Sequence, residues 1–227
     1  MRYPGGKGKS FHHVINLLPP HRIYIESHVG GGAVLRHKRP AERSIAIDRD
    51  PRVIDSWHRR APSLAEFRLG DALEELGRHD FTGEEVVYVD PPYLPATRRR
   101  RRVYRFDYSE ADHEALLDLL KRLPCAIVLS GYASPFYDRE LATWSRVEFD
   151  AKAHDAVRRE VLWFNFAPPI ALHDARFLGR DFRERERIRR RLHRLFHRLG
   201  RLSAIERAEA RRFLETLGGA PADRPLG

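Results

Sequence analysis

Ile23-Tyr24-Ile25-Glu26-Ser27-His28-Val29-Gly30-Gly31-Gly32-Ala33 runs from a short β-branched and aromatic stretch, through a glycine turn, into a helix-length segment. Apolar runs of about 4–8 residues bounded by turn signals read as buried strands. The same unit recurs down the chain: Ser44–Asp48, Glu66–Leu69, Glu85–Asp90 and Cys125–Ser130 read as further strands. Residues 31–39, 50–59, 71–78 and 109–123 read as the helices between them, the last opened by Ser109 with Asp112 three positions on, a near capping box. Such alternation implies parallel strands joined by right-handed crossovers. Arg146–Phe149 and Val161–Asn165 follow with no long helix between them, which predicts a hairpin at the sheet edge. The expected fold class is α/β, a doubly wound, mostly parallel seven-stranded sheet.

Composition narrows the function. The chain has 227 residues, 42% of them hydrophobic, with 12 Phe, 8 Tyr and 3 Trp, which excludes a disordered or fibrous protein. No apolar run approaches the ~18 residues of a bilayer span, and the opening MRYPGGKGKSFHH lacks a secretory apolar stretch. A soluble, unexported, cytoplasmic protein is expected. The single cysteine, Cys125, allows no internal disulfide and no cysteine-based metal cage. His193 and His197 stand four apart on one helical stretch, but the surrounding arginines oppose a cation there, so no metal is expected.

The net charge of +10 is unevenly spread, because residues 176–212 hold fourteen Arg against five acids. A segment so basic suits a polyanion, most often nucleic acid; a solvated arginine face is the plainer reading. Ile188, Leu192, Leu195, Leu199 and Leu202 step at helical spacing, Gly200 is a natural stop, and Ser203 with Glu206 forms a capping box for a second helix ending near Gly218-Gly219. This predicts a C-terminal basic helical hairpin. The expected division is a first domain over 1–170, a helical extension over 171–219 and a frayed tail over 220–227.

In open α/β sheets, ligands bind at the carboxyl ends of the strands, near the point where strand order reverses. The glycines after Glu26 let the backbone approach a ligand, although a tight strand–helix turn needs them equally. Asp48 ends the second strand, where a carboxylate commonly takes the hydroxyls of a nucleoside ribose. Asp71, after the third strand, either accepts from the purine amine of such a cofactor or caps the next helix. Asp90-Pro91-Pro92-Tyr93 ends the fourth strand. Its two prolines donate no amide and fix the backbone, so a carboxylate, rigid carbonyls and a ring project together from mid-sheet.

Tyr3-Pro4-Gly5-Gly6-Lys7, the Glu26–Gly32 loop, Asp48 and Asp90-Pro91-Pro92-Tyr93, in this order, resemble the DNA adenine methyltransferases of the Dam-like alpha group, over about residues 1–166. The resemblance implies a class I methyltransferase-like fold, S-adenosylmethionine as cofactor and double-stranded DNA as partner. It makes Asp90, Pro91, Pro92 and Tyr93 catalytic. Tyr3, Gly6, Lys7, Glu26, Gly30, Gly32, Asp48 and Asp71 become cofactor-binding, though Lys7 also reads as a surface charge flanking a helix. Asp90 and the Pro91 carbonyl are expected to accept the amine protons of a flipped adenine while Tyr93 stacks on it. His28 stands where the family usually has an aromatic, and the usual recognition insertion before Asp90 is short.

Other contacts must then hold the DNA. Arg98, Arg99, Arg100, Arg101 and Arg102, with Tyr104 or Phe106, are expected at the phosphates and the gap beside a flipped base, unless that run is a solvated loop. Arg189, Arg190, Arg191 and Arg194 of the tail are expected to contact DNA as well. Such an enzyme would sit in a bacterial nucleoid or be encoded by a phage. The rival readings are a cytosine-N4 methyltransferase, in which Ser more often precedes the Pro-Pro-Tyr, and a non-catalytic nucleic-acid-binding protein on a degenerate methyltransferase fold.

Overall fold

A computed structural model describes residues 7–8, 10–97, 105–152 and 157–218; the expectations for Tyr3, Gly6, Arg98–Arg102, Tyr104 and the 220–227 tail fall outside the described residues. β1 (Ile23–Glu26), β2 (Arg43–Asp48), β3 (Glu66–Leu69), β4 (Glu85–Val89), β5 (Ala126–Gly131), β6 (Ser145–Lys152) and β7 (Val157–Phe164) form one sheet in the order β3-β2-β1-β4-β5-β7-β6. β1 to β5 pair in parallel, whereas β7 runs antiparallel to both β5 and β6. The sheet is therefore seven-stranded, doubly wound and mostly parallel, the fold class the strand–helix alternation implies. The hairpin is longer than its apolar cores suggest, and β7 lies inside it while β6 takes the edge.

Every β4 residue is buried, as a central strand covered on both faces requires. Its side chains alternate: Val86 and Tyr88 enter one core cluster, Val87 and Val89 the other. The first cluster takes α1 (Phe11–Ile15), α2 (Ala33–His37) and α3 (Pro51–Arg60) through Val14, Val34 and Trp57. The second takes α4 (Ala72–Gly77), α5 (Glu110–Leu120) and α6 (Pro135–Glu140) through Leu76, Leu116 and Tyr137. Local chemistry sets the helix starts. The α5 box is reciprocal, with Ser109 N donating to Asp112 at 2.7 Å and Asp112 N to Ser109 Oγ at 3.2 Å. Asp50 and Asp71 cap α3 and α4 through the amides of Arg52 and Leu73.

The described residues divide into two compact units between Phe177 and Leu178. Residues 171–177, expected to open the extension, belong to the first unit because hydrogen bonds tie them down. Asp174, fully buried, accepts from Arg39 N at 2.8 Å, and Asn16 Nδ2 donates to the Phe177 carbonyl at 2.7 Å. In the second unit, α7 (Phe182–Gly200) is capped by Asp181 and α8 (Ala204–Gly218) by the Ser203–Glu206 box. Ile188, Leu192, Leu199 and Leu202 are half-buried and Leu195 is exposed.

Gly32 starts α2 at φ +54°, in the left-handed region, and a Cβ there would lie 2.4 Å from the Trp57 ring. Gly32→Ala is therefore expected to cost ~2–4 kcal/mol, from left-handed strain and overpacking together. A urea titration with unchanged slope and a lowered midpoint is the expected outcome.

Candidate active site

Strand order reverses between β1 and β4, and a cleft of about 800 Å³, open mouth included, lies at their carboxyl ends. Lys7, Glu26, Gly30, Gly32, Asp48, Asp90 and Pro92 line it, so the structure gathers most of the described candidates. Pro91, Asp71 and Tyr93 are not on its walls. Asp71 caps α4 and faces Arg49 at 3.5 Å, while its neighbours Gly70 and Ala72 reach the cleft.

On the β1 side, Glu26 Oε2 accepts from the Tyr24 hydroxyl at 2.8 Å and Leu35 N at 3.1 Å. Burial pushes its carboxyl up to about 8 against these stabilising hydrogen bonds, so it is mostly protonated at neutral pH. At the end of β2, Asp48 accepts from Gly30 N at 2.8 Å and Asp50 N at 2.9 Å, which fixes the carboxylate against the glycine turn. Burial raises its pKa too. The Trp57 indole donates to the Gly30 carbonyl at 3.0 Å and holds the turn from below.

His28 lies between Ser27 Oγ at 2.9 Å and the Tyr108 hydroxyl at 3.1 Å. Burial lowers its imidazole to about 4, so it is neutral at physiological pH. Phe106 lines the cleft between Arg49 and Arg105, whose guanidinium carbons stand 5.9 and 5.3 Å from its ring centre, and Arg105 pairs with Asp50 at 3.1 Å. Phe106, read as a residue for filling a DNA gap, thus forms part of the cleft wall.

At the end of β4, Asp90 Oδ1 receives Lys7 Nζ at 2.9 Å and Ser130 Oγ at 2.6 Å. Lys7 is 5% exposed, which is not a surface charge. Burial works to lower its pKa, but Asp90 and Glu160 outweigh that and hold the ammonium well above the ordinary lysine value. Lys7 also donates to the Tyr93 hydroxyl and stands 3.4 Å from Glu160 Oε2. The Tyr93 ring is 7% exposed and meets Tyr132 edge-on, 4.6 Å between centres. The face expected to stack on a base is covered in this conformation because the hydroxyl is drawn into the Lys7 cluster.

Ser130 and Glu160 were missed in the sequence. Ser130 was findable: it lies one residue before the end of β5, beside β4, where Val89 pairs with Leu129. Glu160 immediately precedes the apolar run read as a strand and follows two arginines, so it resembled a surface charge. In the tail, Arg189 and Arg190 reach Glu186 on the same helix at 2.8 and 3.9 Å, and Arg191 and Arg194 are exposed. Among the described residues no helix is long and apolar enough to cross a membrane, and no group of three or more His, Cys, Asp or Glu is placed to hold a metal ion.

No family model and no curated protein matches the chain. Among solved structures it is similar to precorrin 8W decarboxylase from Methanobacterium thermoautotrophicum, with 13% identity over 73% of this chain and 94% of that one and a TM-score of 0.48. It is also similar to the O-methyltransferase TomG from Streptomyces achromogenes, solved with SAM, with 17% identity, 71% and 80% coverage and a TM-score of 0.48. A dimethyladenosine transferase from Plasmodium falciparum gives 15% identity, 68% and 59% coverage and a TM-score of 0.46. The likeness is one of fold.

Glu26 makes the site pH-sensitive in a defined direction. Its carboxyl titrates at about 8 when folded against an ordinary 4.5, so its stabilising effect is complete below 4.5 and is lost as pH rises through 8. His28 acts oppositely, but only between its ordinary 6.5 and about 4. From pH 6.5 to 8, Glu26→Gln is expected to abolish a stability decline of up to about 1.4 kcal/mol per pH unit that the unaltered chain shows in denaturant titrations.

Proposed function

We propose that this chain is an S-adenosylmethionine-dependent methyltransferase acting on the N6 amine of adenine in DNA. The observation that carries the reading is Asp90, held by Lys7 and Ser130 on the wall of a glycine-lined cleft at the point where strand order reverses. The chemistry of the donors suits the cofactor. Asp48 is anchored where ribose hydroxyls would meet it, the Gly30–Gly32 turn allows close backbone approach, and Phe106 offers an aromatic wall. When bound, S-adenosylmethionine supplies an electrophilic methyl group on a sulfonium.

The protein's own work is on the amine. An adenine amine is a weak nucleophile because its lone pair is delocalised into the ring. Acceptors for its protons draw the nitrogen toward tetrahedral geometry and restore the lone pair. Asp90, on the cleft wall, accepts one proton, and the Pro91 carbonyl, off the wall in this conformation, takes the other once base entry rearranges the corner. As the nitrogen gains positive charge, Asp90 stabilises it and takes the released proton. Tyr93 reaches a base only if its ring leaves Tyr132, so base entry is coupled to a rearrangement of this corner.

Two observations weigh against the rivals. A buried ion pair such as Lys7–Asp90 contributes little net stability compared with apolar packing, so a binding-only protein has no need of it. Asp, rather than Ser, at the head of the Pro-Pro-Tyr element favours adenine over cytosine. Asp90→Ala is expected to cut methyl transfer to duplex DNA by at least about 100-fold while S-adenosylhomocysteine still binds by calorimetry. Mass spectrometry of digested product should find N6-methyladenine; N4-methylcytosine, or no modified base, overturns the assignment.

DNA contact by the basic tail completes the reading. Replacing Arg189, Arg190, Arg191 and Arg194 together by Gln should weaken DNA binding and make log Kd less dependent on log salt, by roughly 0.9 for each phosphate that is no longer neutralised. A filter-binding salt series measures the slope. An unchanged slope assigns the arginines to solvent.

A further inference from the structure

β7 is the strand that brings an unexpected side chain to Lys7, on the wall of the cleft. Because it runs antiparallel, its early residues lie beside the carboxyl ends of the parallel strands, with Val161 opposite Gly131 at the end of β5. Glu160, one residue before, is 9% exposed and presents Oε2 to Lys7 Nζ and the Tyr93 hydroxyl, each at 3.4 Å. Among the described residues, Lys7 donates hydrogen bonds to Asp90 and the Tyr93 hydroxyl and forms an ion pair with Glu160.

We propose that Glu160 is a positioning residue for Asp90 and acts through Lys7 and Tyr93, an inference that rests on the methyl-transfer reading of the same site. Two carboxylates around one ammonium leave the cluster with a net charge of −1. With Asp90 as its sole anionic partner, Lys7 would neutralise the group meant to accept the amine proton. Sharing the ammonium with Glu160 leaves Asp90 anionic in character toward the cleft, and it also keeps Lys7 at a fixed distance from Oδ1. Glu160 further holds the Tyr93 hydroxyl, so the ring and the carboxylate are set by one charge cluster. A surface ion pair would need none of this burial.

The test is a double-mutant cycle on the full chain with Glu160→Gln, which keeps the shape and removes the charge, and Lys7→Met. In the otherwise unaltered protein, Glu160→Gln should lower kcat about 10–100-fold while KM for DNA and the Kd of S-adenosylhomocysteine stay within about threefold. In the Lys7→Met background the same change should cost at least about threefold less in kcat than in the unaltered protein, because one of the two groups it acts through is gone. Unchanged kcat in Glu160→Gln, an equal loss in both backgrounds, or a loss confined to KM overturns the proposal. A readout independent of turnover separates it from the parent reading. In the ligand-free protein, the Lys7 ammonium should give a slowly exchanging nitrogen–proton NMR signal that Lys7→Met removes and Glu160→Gln shifts and broadens. If the unaltered chain methylates nothing, the methyl-transfer reading fails; if that signal is identical in Glu160→Gln, the Glu160 proposal fails.

Discussion

A buried ammonium governs the corner of the molecule where chemistry is expected. Lys7 lies almost out of water between Asp90, Tyr93 and Glu160, and its charge survives there because two carboxylates face it. Removing a charge from water costs several kcal/mol even after relaxation, so the partners must be held where they are. The rest of the fold does this. β4 ends at Val89 with every residue buried, Pro91 and Pro92 stiffen the exit, and Ser130 on the neighbouring strand fixes Asp90 from the side. The antiparallel β7 delivers the last carboxylate, which a parallel strand in its place would have carried to the far end of the sheet.

The other half of the cleft depends on shape rather than charge. Gly30 and Gly32 both have positive φ, the Trp57 ring fills the space a side chain at Gly32 would need, and the indole donates to the Gly30 carbonyl. The turn is thereby made rigid from the core side and left as bare backbone on the cleft side. Asp48 closes the arrangement by accepting from Gly30 N, so the end of β2 and the turn after β1 are one hydrogen-bonded unit. His28 is accommodated in the same way, its two ring nitrogens satisfied by Ser27 and Tyr108.

Much of this was legible because strands buried on both faces leave near-continuous apolar runs, and the residues ending them are fixed by topology. Glu26, Asp48 and Asp90 follow directly from that rule. α1 and α6 escaped notice because α1 precedes the first strand and α6 leads into the antiparallel pair, so the strand–helix alternation that placed the equally short α2 and α4 does not reach them, although Ser134-Pro135 is a start signal for the second. The position of the Tyr93 ring was not legible: it depends on a tyrosine and a glutamate distant in sequence, and no local pattern announces such a pairing. The boundary of the basic extension fell late because one aspartate, Asp174, binds its approach to the first unit, and a single buried carboxylate leaves no compositional trace.

If the chain acts on DNA as proposed, its charge pattern divides the labour of recognition. Nine of the ten net positive charges come from residues 176–212, so attraction to a polyanion belongs to that segment and falls with salt. The Lys7 cluster at the cleft wall carries the opposite sign, because its two carboxylates outnumber the ammonium. A phosphate entering there would meet repulsion in a poorly screened environment, whereas a neutral base with amine hydrogens meets acceptors. On the proposed reading, basic surface and acidic corner are therefore complementary requirements: the first holds the backbone, and the second keeps that backbone out of the place reserved for the base.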